Sequence, residues 1–415
     1  MEDWRIRQHH GAERFLHSYL VYRARNETVG KYSEIHEVAK VLSVRTGNEY
    51  EKTLHALCWL ALGRVNSTLR SPGPCRRLAK SHGHADHPPS LGLNLLSAAA
   101  HLGHISLARE LLQDGHSPIA MDRLFDSPMF LAAFAGNVDM VKLFQQYIPD
   151  FKNDKDYDEI GDRWEGVRGA LQRGDLNMFH LTAFPPTAKQ PGDRNDKVSD
   201  LAEYLRGPRS RMSTRSWEMY SYVCSFLQDH PSERDLPIKV LRDLVIGCHA
   251  QYGNLEIIQG LLDEGLDCRR AGYANRIALI KAAAYAHEDM VDLLLRRGAD
   301  PNYQEGSQDG SALVAAAGCG SLRIMRKLLA HGASVEDCNF YRSLKHAVLR
   351  EHTAMIELLH EKGTVEQDEL MCLKEVAMTE GLESMVNYLE TLIPQNSKTA
   401  ISKDRVVRAS RAWGY

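Results

Sequence analysis

The feature that most constrains this chain is a repeat of about 33 residues. NLLSAAAHLGH from Asn94, SPMFLAAFAGN from Ser127 and SALVAAAGCGS from Ser311 align without gaps, and IALIKAAAYAH from Ile277 joins them. The glycine near the end of each block sets the register. Gly103 to Gly136 is 33 residues, Gly253 to Ala286 is 33 and Ala286 to Gly320 is 34. The matching positions then fall at Glu351 and Gly381, at intervals of 31 and 30. Units of this size cannot bury an apolar face alone, so a fixed period predicts stacking into an array.

Each block is followed by a second apolar stretch, as in ISLARELLQDG, VDMVKLFQQY, LEIIQGLLDEG, EDMVDLLLRRGADPN and LRIMRKLLAHGAS. The spacing places Val291, Leu294 and Leu295 on one helical face, and Ile257, Leu261 and Leu262 on another. Each unit therefore reads as two short helices joined by a tight turn. Ser127 is suited to capping a helix start, and Pro128 to the first helical position, where no donor is needed. The alanines Ala98–Ala100, Ala282–Ala284 and Ala315–Ala317 let neighbouring first helices approach closely. The turn glycine permits a left-handed C-terminal cap, and the Leu-Leu pairs of the second helices fill the seams.

The run Ser127-Pro128-Met129-Phe130-Leu131-Ala132-Ala133, with Gly298-Ala299-Asp300-Pro301-Asn302 after a second helix, resembles the ankyrin-repeat family, whose signature is T-P-L-H-x-A. The resemblance covers roughly residues 91–390. Ser97, Phe130, Ile280 and Val314 stand where the family has its histidine, and the units near Arg342 and Leu370 lose the turn glycine or the loop motif. The array is degenerate, and most regular over 276–335. The resemblance implies an all-α fold: an ankyrin-repeat solenoid of stacked helix-turn-helix units, here with an N-terminal helical cap.

Residues 1–70 carry helical patterns, with Ile35, Val38 and Leu42 on one face, and are expected to cover the first repeat. Residues 71–92 form a Pro-, Gly- and His-rich loop before the ankyrin-like repeats of 93–184. Over 185–235 an insertion opens with PPTAKQPGDRNDK and holds a cryptic helical repeat in VSDLAEYLRG and STRSWEMYSYVCSFLQ. Such a mid-array insertion resembles the degenerate arrays of filamentous fungi. Ankyrin repeats resume over 236–393, and 394–415 is a polar, then basic tail with Lys403, Arg405, Arg408 and Arg411.

A net charge of −3 gives no global case for nucleic acid or an acidic membrane as the main partner. The eight cysteines occur singly, with no Cys-x-x-Cys pair, which argues against a thiolate zinc site and a disulfide framework. MEDWRIRQHH lacks an apolar signal core, and no run approaches bilayer-spanning length. These features predict a cytoplasmic or nuclear protein with no cofactor and no membrane association.

One constellation suggests catalysis. His82-Gly83-His84-Ala85-Asp86-His87 fits the H-x-H-x-D-H pattern of metallo-β-lactamase-like hydrolases, in which imidazoles and a carboxylate hold zinc that generates a hydroxide nucleophile. Here the preceding PCRRLAKS is basic and unlike a strand, Pro88-Pro89 follows, and a helical repeat chain supplies no β-sandwich. The bland reading is a solvated His-rich loop. The basic run Arg206-Gly207-Pro208-Arg209-Ser210-Arg211-Met212-Ser213-Thr214-Arg215 reads as a connector, an import signal, a phosphate contact or a kinase-accessible loop. No Gly-rich phosphate loop, G-x-S-x-G elbow, H-E-x-x-H helix or DNA-binding module occurs, so direct sequence-specific DNA binding is not expected.

In this architecture loop tips and first helices form one concave surface, where sequence varies at little cost to the core. Aromatic and charged residues concentrate at the expected tips: Arg123 and Phe125; Arg270, Tyr273, Asn275 and Arg276; Tyr303 and Glu305; Phe340, Tyr341 and Arg342. Aromatics and arginine dominate interface hot spots. The alternative is that Tyr273 and Phe340 pack on neighbouring loops. The leading expectation is a non-catalytic protein-binding scaffold, with a coregulator acting through a DNA-bound partner as its specific form. The alternatives are a zinc-dependent enzyme using the His82–His87 loop and an adaptor subunit of a larger complex.

Overall fold

The computed structural model describes residues 12–28, 30–69, 90–122, 124–148, 164–184, 193–207, 214–231, 246–266, 273–304, 310–335, 338–363 and 365–393. Helices and turns account for them, and no strand occurs among the described residues. The chain divides into two compact units, one running to residue 245 and including 256–261, the other holding 246–255 and everything from 262.

The first unit opens with three mutually packed helices, Ala12–Asn26, Lys31–Thr46 and Tyr50–Leu69. Ile35, Val38 and Leu42 are buried, as their shared face requires. The middle helix abuts the first repeat helix, Leu91–Leu102. Asn48 Nδ2 donates to His104 Nε2 at 3.0 Å, and Arg45 pairs with Glu110. These helices are the expected cap on the array.

The first helices of the following units, Leu91–Leu102, Pro128–Ala135 and Glu165–Arg173, then lie side by side. Their approach depends on small residues. Ala98–Ala100, Ala132 and Ala133 are fully buried. A Cβ on Gly169 would lie 2.4 Å from the Phe130 carbonyl oxygen, so only glycine fits there. The expected capping chemistry is present. Ser127 Oγ accepts from Phe130 N at 3.3 Å, with Pro128 just inside the helix. Two further helices, Asp193–Arg206 and Trp217–Asp229, pack on each other, and Ser216 caps the second.

In the second unit Tyr273–Ala284, Ala312–Cys319, Cys338–Leu349 and Gln367–Thr379 stack in order, and the second helices Glu288–Arg296 and Leu322–Ala330 pack together. Leu294, Leu295 and Leu328 are buried in the seams. Each such side chain contributes at most about 1.5–3 kcal/mol. The outer faces add a charge register. Lys327 of one helix pairs with Glu288 at 3.1 Å and with Asp292, both on the preceding one.

Every turn position identified by the period is left-handed. φ is 81° at Gly103, 83° at Gly136, 78° at Gly174 and 77° at Gly320. Ala286 and Glu351, which replace glycine in the series, adopt 58° and 52°. The tertiary array imposes this conformation on them despite its steric cost.

The residue after the turn, or just before it, stitches each repeat to the one behind. Asn137 Nδ2 donates to the carbonyls of Ala100 (2.8 Å) and His101 (3.3 Å). In the same way the His287 ring Nε2–H reaches the Gln251 carbonyl at 2.9 Å, and Cys319 Sγ the Ala283 carbonyl at 3.1 Å. The last carbonyls of a helix lack intrahelical donors, so these side chains satisfy groups that the preceding helix leaves open.

Candidate functional surface

The expected partner-binding residues divide sharply. Phe125 is 1% exposed and Phe340 4%, so neither ring stands at a tip. Phe125 precedes the cap Ser127 and sits beside buried Leu124, where the turn enters the core. Phe340 falls within the helix Cys338–Leu349, and its ring occupies the space over Gly363, 2.5 Å from where a Cβ would be. Packing takes both.

Tyr341 lies on the same helix, half-buried with its hydroxyl enclosed. Burial pushes its pKa up first, followed by Cys372, Glu369 and Glu375, so this face meets the next first helix. Tyr273, Asn275 and Arg276 belong to the first turn of the helix Tyr273–Ala284, where the sequence reading had a loop. Arg123, Arg270 and Glu305 lie outside the described residues, as do His82, His84, Asp86 and His87. Among the described residues no group of three or more His, Cys, Asp or Glu is arranged to hold a metal ion, and no helix is long and apolar enough to cross a membrane.

Tyr303 and Arg342 remain as described, partly exposed members of the set. Arg342 lies on the helix Cys338–Leu349, its guanidinium 3.0 Å from where a Cβ on Gly310 would stand. Tyr303 follows a loop held by Asn302. Asn302 Nδ2 donates to the Gly332 carbonyl at 2.8 Å, and Asn302 Oδ1 accepts from Ser334 N at 2.6 Å. One side-chain amide thus clamps consecutive loops together. Asp300 Oδ1 also takes the Asn302 N–H at 2.9 Å, which fixes the turn.

The first unit holds a surface that the sequence reading passed over. Phe134 is 39% exposed and stacks on buried Phe130, with ring centroids 5.9 Å apart and planes 6° off parallel. The Arg168 guanidinium covers the other ring at 3.9 Å. Arg168 in turn meets Glu165 at 2.7 Å and Asp126 at 3.0 Å, and Ser127 Oγ donates to Glu165 at 2.7 Å. Burial alone would lower the Arg168 pKa; Glu165 and Asp126 outweigh it and hold the guanidinium charged. Arg173 lies over Gly136 and donates to the Phe134 carbonyl at 3.2 Å. Beside it is an open depression lined by Arg173, Asp175, His180 and Glu218. Phe134 and Arg173 fall two residues and one residue before turn glycines, so the register held the signal. A fixed aromatic face beside a cation suits binding by packing and charge.

Two stretches, residues 96–145 and 279–329, match the family model described as ankyrin repeats (many copies). A relative, the ankyrin repeat and KH domain-containing protein mask-1 of Caenorhabditis elegans, is 34% identical over 84 residues, which is 20% of this chain. The match spans only 3% of that much longer protein. Among solved structures, the ankyrin repeat domain of Bcl-3, a member of the IkappaB protein family, covers 66% of this chain and 99% of its own at 20% identity, with a TM-score of 0.27. The human ASB11 ankyrin repeat domain covers 65% and 98% at 15% identity, with a TM-score of 0.31.

Proposed function

This chain is an ankyrin-repeat protein, and we propose that it is a non-catalytic scaffold whose loop face between residues 270 and 345 holds a protein partner. The observation that carries this reading is the Asn302 clamp, which ties the loop before Tyr303 to the loop of the next repeat. A partner meeting a loop already fixed loses little ordering entropy on binding. Tyr303 supplies aromatic area, and Arg342 a planar cation. The helical Tyr273, Asn275 and Arg276 lie in the same stretch of the array.

The specific form we propose is a coregulator that contacts a DNA-bound protein and reads no bases itself. The basic runs at 206–215 and 403–411 and the near-neutral total support that form. The test is capture of partners from source-cell extract, identified by mass spectrometry, with wild type and Tyr303→Ala side by side. Regulatory DNA-binding proteins enriched by wild type and depleted at least about tenfold by Tyr303→Ala match the reading. Identical capture sets move the interface elsewhere.

A further inference from the structure

The helix Ala12–Asn26 has two apolar faces. One is core: Leu20, Val21 and Ala24 are buried, with His17 between them. The other points to solvent and is aromatic. Phe15 is 58% exposed, Tyr19 39% and Tyr22 63%. Their spacing is i, i+4, i+7, which places three rings in one row. Phe15 and Tyr19 already stack, with centroids 6.5 Å apart and planes 12° off parallel. Core packing explains the first face and nothing about the second.

We propose that this row docks into an apolar groove with a carboxylate rim on a partner protein. Three anchors at i, i+4 and i+7 are the pattern by which a helix lies in such a groove. The rim follows from charge. Arg14 and Arg25 flank the row on one side and Arg23 on the other, by the helical angle of their positions. Arg23 pairs with Glu27 in a part-buried contact and lies over the Tyr32 ring at 4.5 Å, whereas Arg25 pairs with Glu51 in a contact that remains substantially exposed. An exposed pair of this kind is weak, so a partner's carboxylate can replace Glu51.

The same charges count against a second copy of this chain, because two such helices laid face to face set arginine beside arginine in either direction. Two of the three anchors are tyrosines. Arg23 already donates to the Tyr19 hydroxyl, but that of Tyr22, the most exposed of the three, needs a partner on burial, which a protein groove supplies and acyl chains do not. This surface belongs to the first unit and the proposed loop face to the second, so it stands or falls separately from the scaffold reading.

The probe is purified calmodulin, which opens an acidic, methionine-rich, helix-receiving groove only with calcium bound. The full chain is titrated with it in calcium and in EDTA. Saturable binding is expected in calcium and absent in EDTA. Phe15→Gln/Tyr19→Gln/Tyr22→Gln should weaken it at least about tenfold, as expected for hot-spot aromatics. Because these rings are exposed, the triple variant should melt with wild type. Arg14→Glu/Arg25→Glu, which keeps every ring, should also weaken binding and steepen its loss with salt.

No binding of the calcium form overturns the proposal, as does equal binding by the triple variant. Light scattering that shows a dimer abolished by the triple variant assigns the row to a second copy. Cosedimentation with phosphatidylcholine–phosphatidylserine vesicles, without calmodulin binding, assigns it to a membrane surface. Binding that appears only after residues 1–11 are deleted assigns it to the chain's own amino-terminal segment. Each of these three results overturns the partner groove.

Discussion

The Arg168 guanidinium carbon stands 3.9 Å from the centroid of the Phe130 ring, and the two residues hold the same place in consecutive repeats, six residues before Gly136 and Gly174. One repeat supplies the ring and the next the cation, where the family signature has histidine. The cation also neutralises Glu165 and Asp126, which lie across the same junction.

Arg168→Met should therefore destabilise the first unit by about 2–4 kcal/mol, because it leaves two carboxylates close together with little water. Adding Glu165→Gln should restore part of that loss. The check is a double-mutant cycle by urea unfolding. Coupling below about 0.5 kcal/mol would mean that the two side chains act independently.

The strained turns offer a stabilising change. Ala286 and Glu351 pay for a left-handed backbone that glycine adopts freely. Ala286→Gly should raise stability by about 0.5–1 kcal/mol, after the entropy cost of a more flexible unfolded chain, and Glu351→Gly by less, because it also removes the hydrogen bond from Ser384. The converse, Gly136→Ala, should be costly, since it puts a Cβ on a backbone at φ 83°; the Arg173 guanidinium over the glycine would only have to swing aside. Paired thermal melts decide the sign. A lower melting temperature for Ala286→Gly would show that the turn carries no strain.

These turns also show what was legible in the sequence. The period located them whatever residue occupied them, so even Ala286 and Glu351 could be placed. Helix starts were legible wherever the cap is local, as at Ser127. Side-chain direction was not. The period shows where a loop falls, but not that Phe125 turns inward or that Phe340 already belongs to a helix. The Asn137–Ala100 bond joins residues 37 apart and exists only once two repeats are stacked. Phe134 was hidden for a related reason: within an alanine-rich apolar block, an exposed ring and a core ring read alike.

Acid should weaken the array. Burial lowers the pKa of His101 and His104, and that of His346 too, where Arg350, Arg342 and Lys345 add to the effect. The folded state therefore disfavours their protonation, while the unfolded chain takes up protons near pH 6.5. Stability should be level above about pH 7 and fall as pH drops below about 6.5, by at most about 1.4 kcal/mol per pH unit for each histidine. Glu369, whose pKa burial raises, acts in the opposite sense at lower pH. Urea midpoints between pH 7.5 and 5.5 test this. His346→Gln should flatten the slope, and an unchanged slope would remove His346 from the account.

Tyr303 and Tyr341 should separate binding from folding. Tyr341 has an enclosed hydroxyl on a helix packed against the next. Removing a largely buried aromatic leaves a cavity, so Tyr341→Ala should cost about 2–4 kcal/mol of stability. Its effect on capture would then be a consequence of unfolding. Tyr303 follows the Asn302 loop and is only partly covered, so Tyr303→Ala should cost under about 1 kcal/mol while weakening capture. Asn302→Ala is the informative third variant. It removes the clamp to Gly332 and Ser334 without removing a ring, and should cost about 1 kcal/mol of stability. If the fixed loop is what lowers the cost of association, Asn302→Ala should weaken capture even with Tyr303 intact. The measurement is melting and pull-down on the same preparations of all three variants. Capture lost by Tyr303→Ala but unchanged by Asn302→Ala would keep the ring as a contact and discard the rigid loop as its cause.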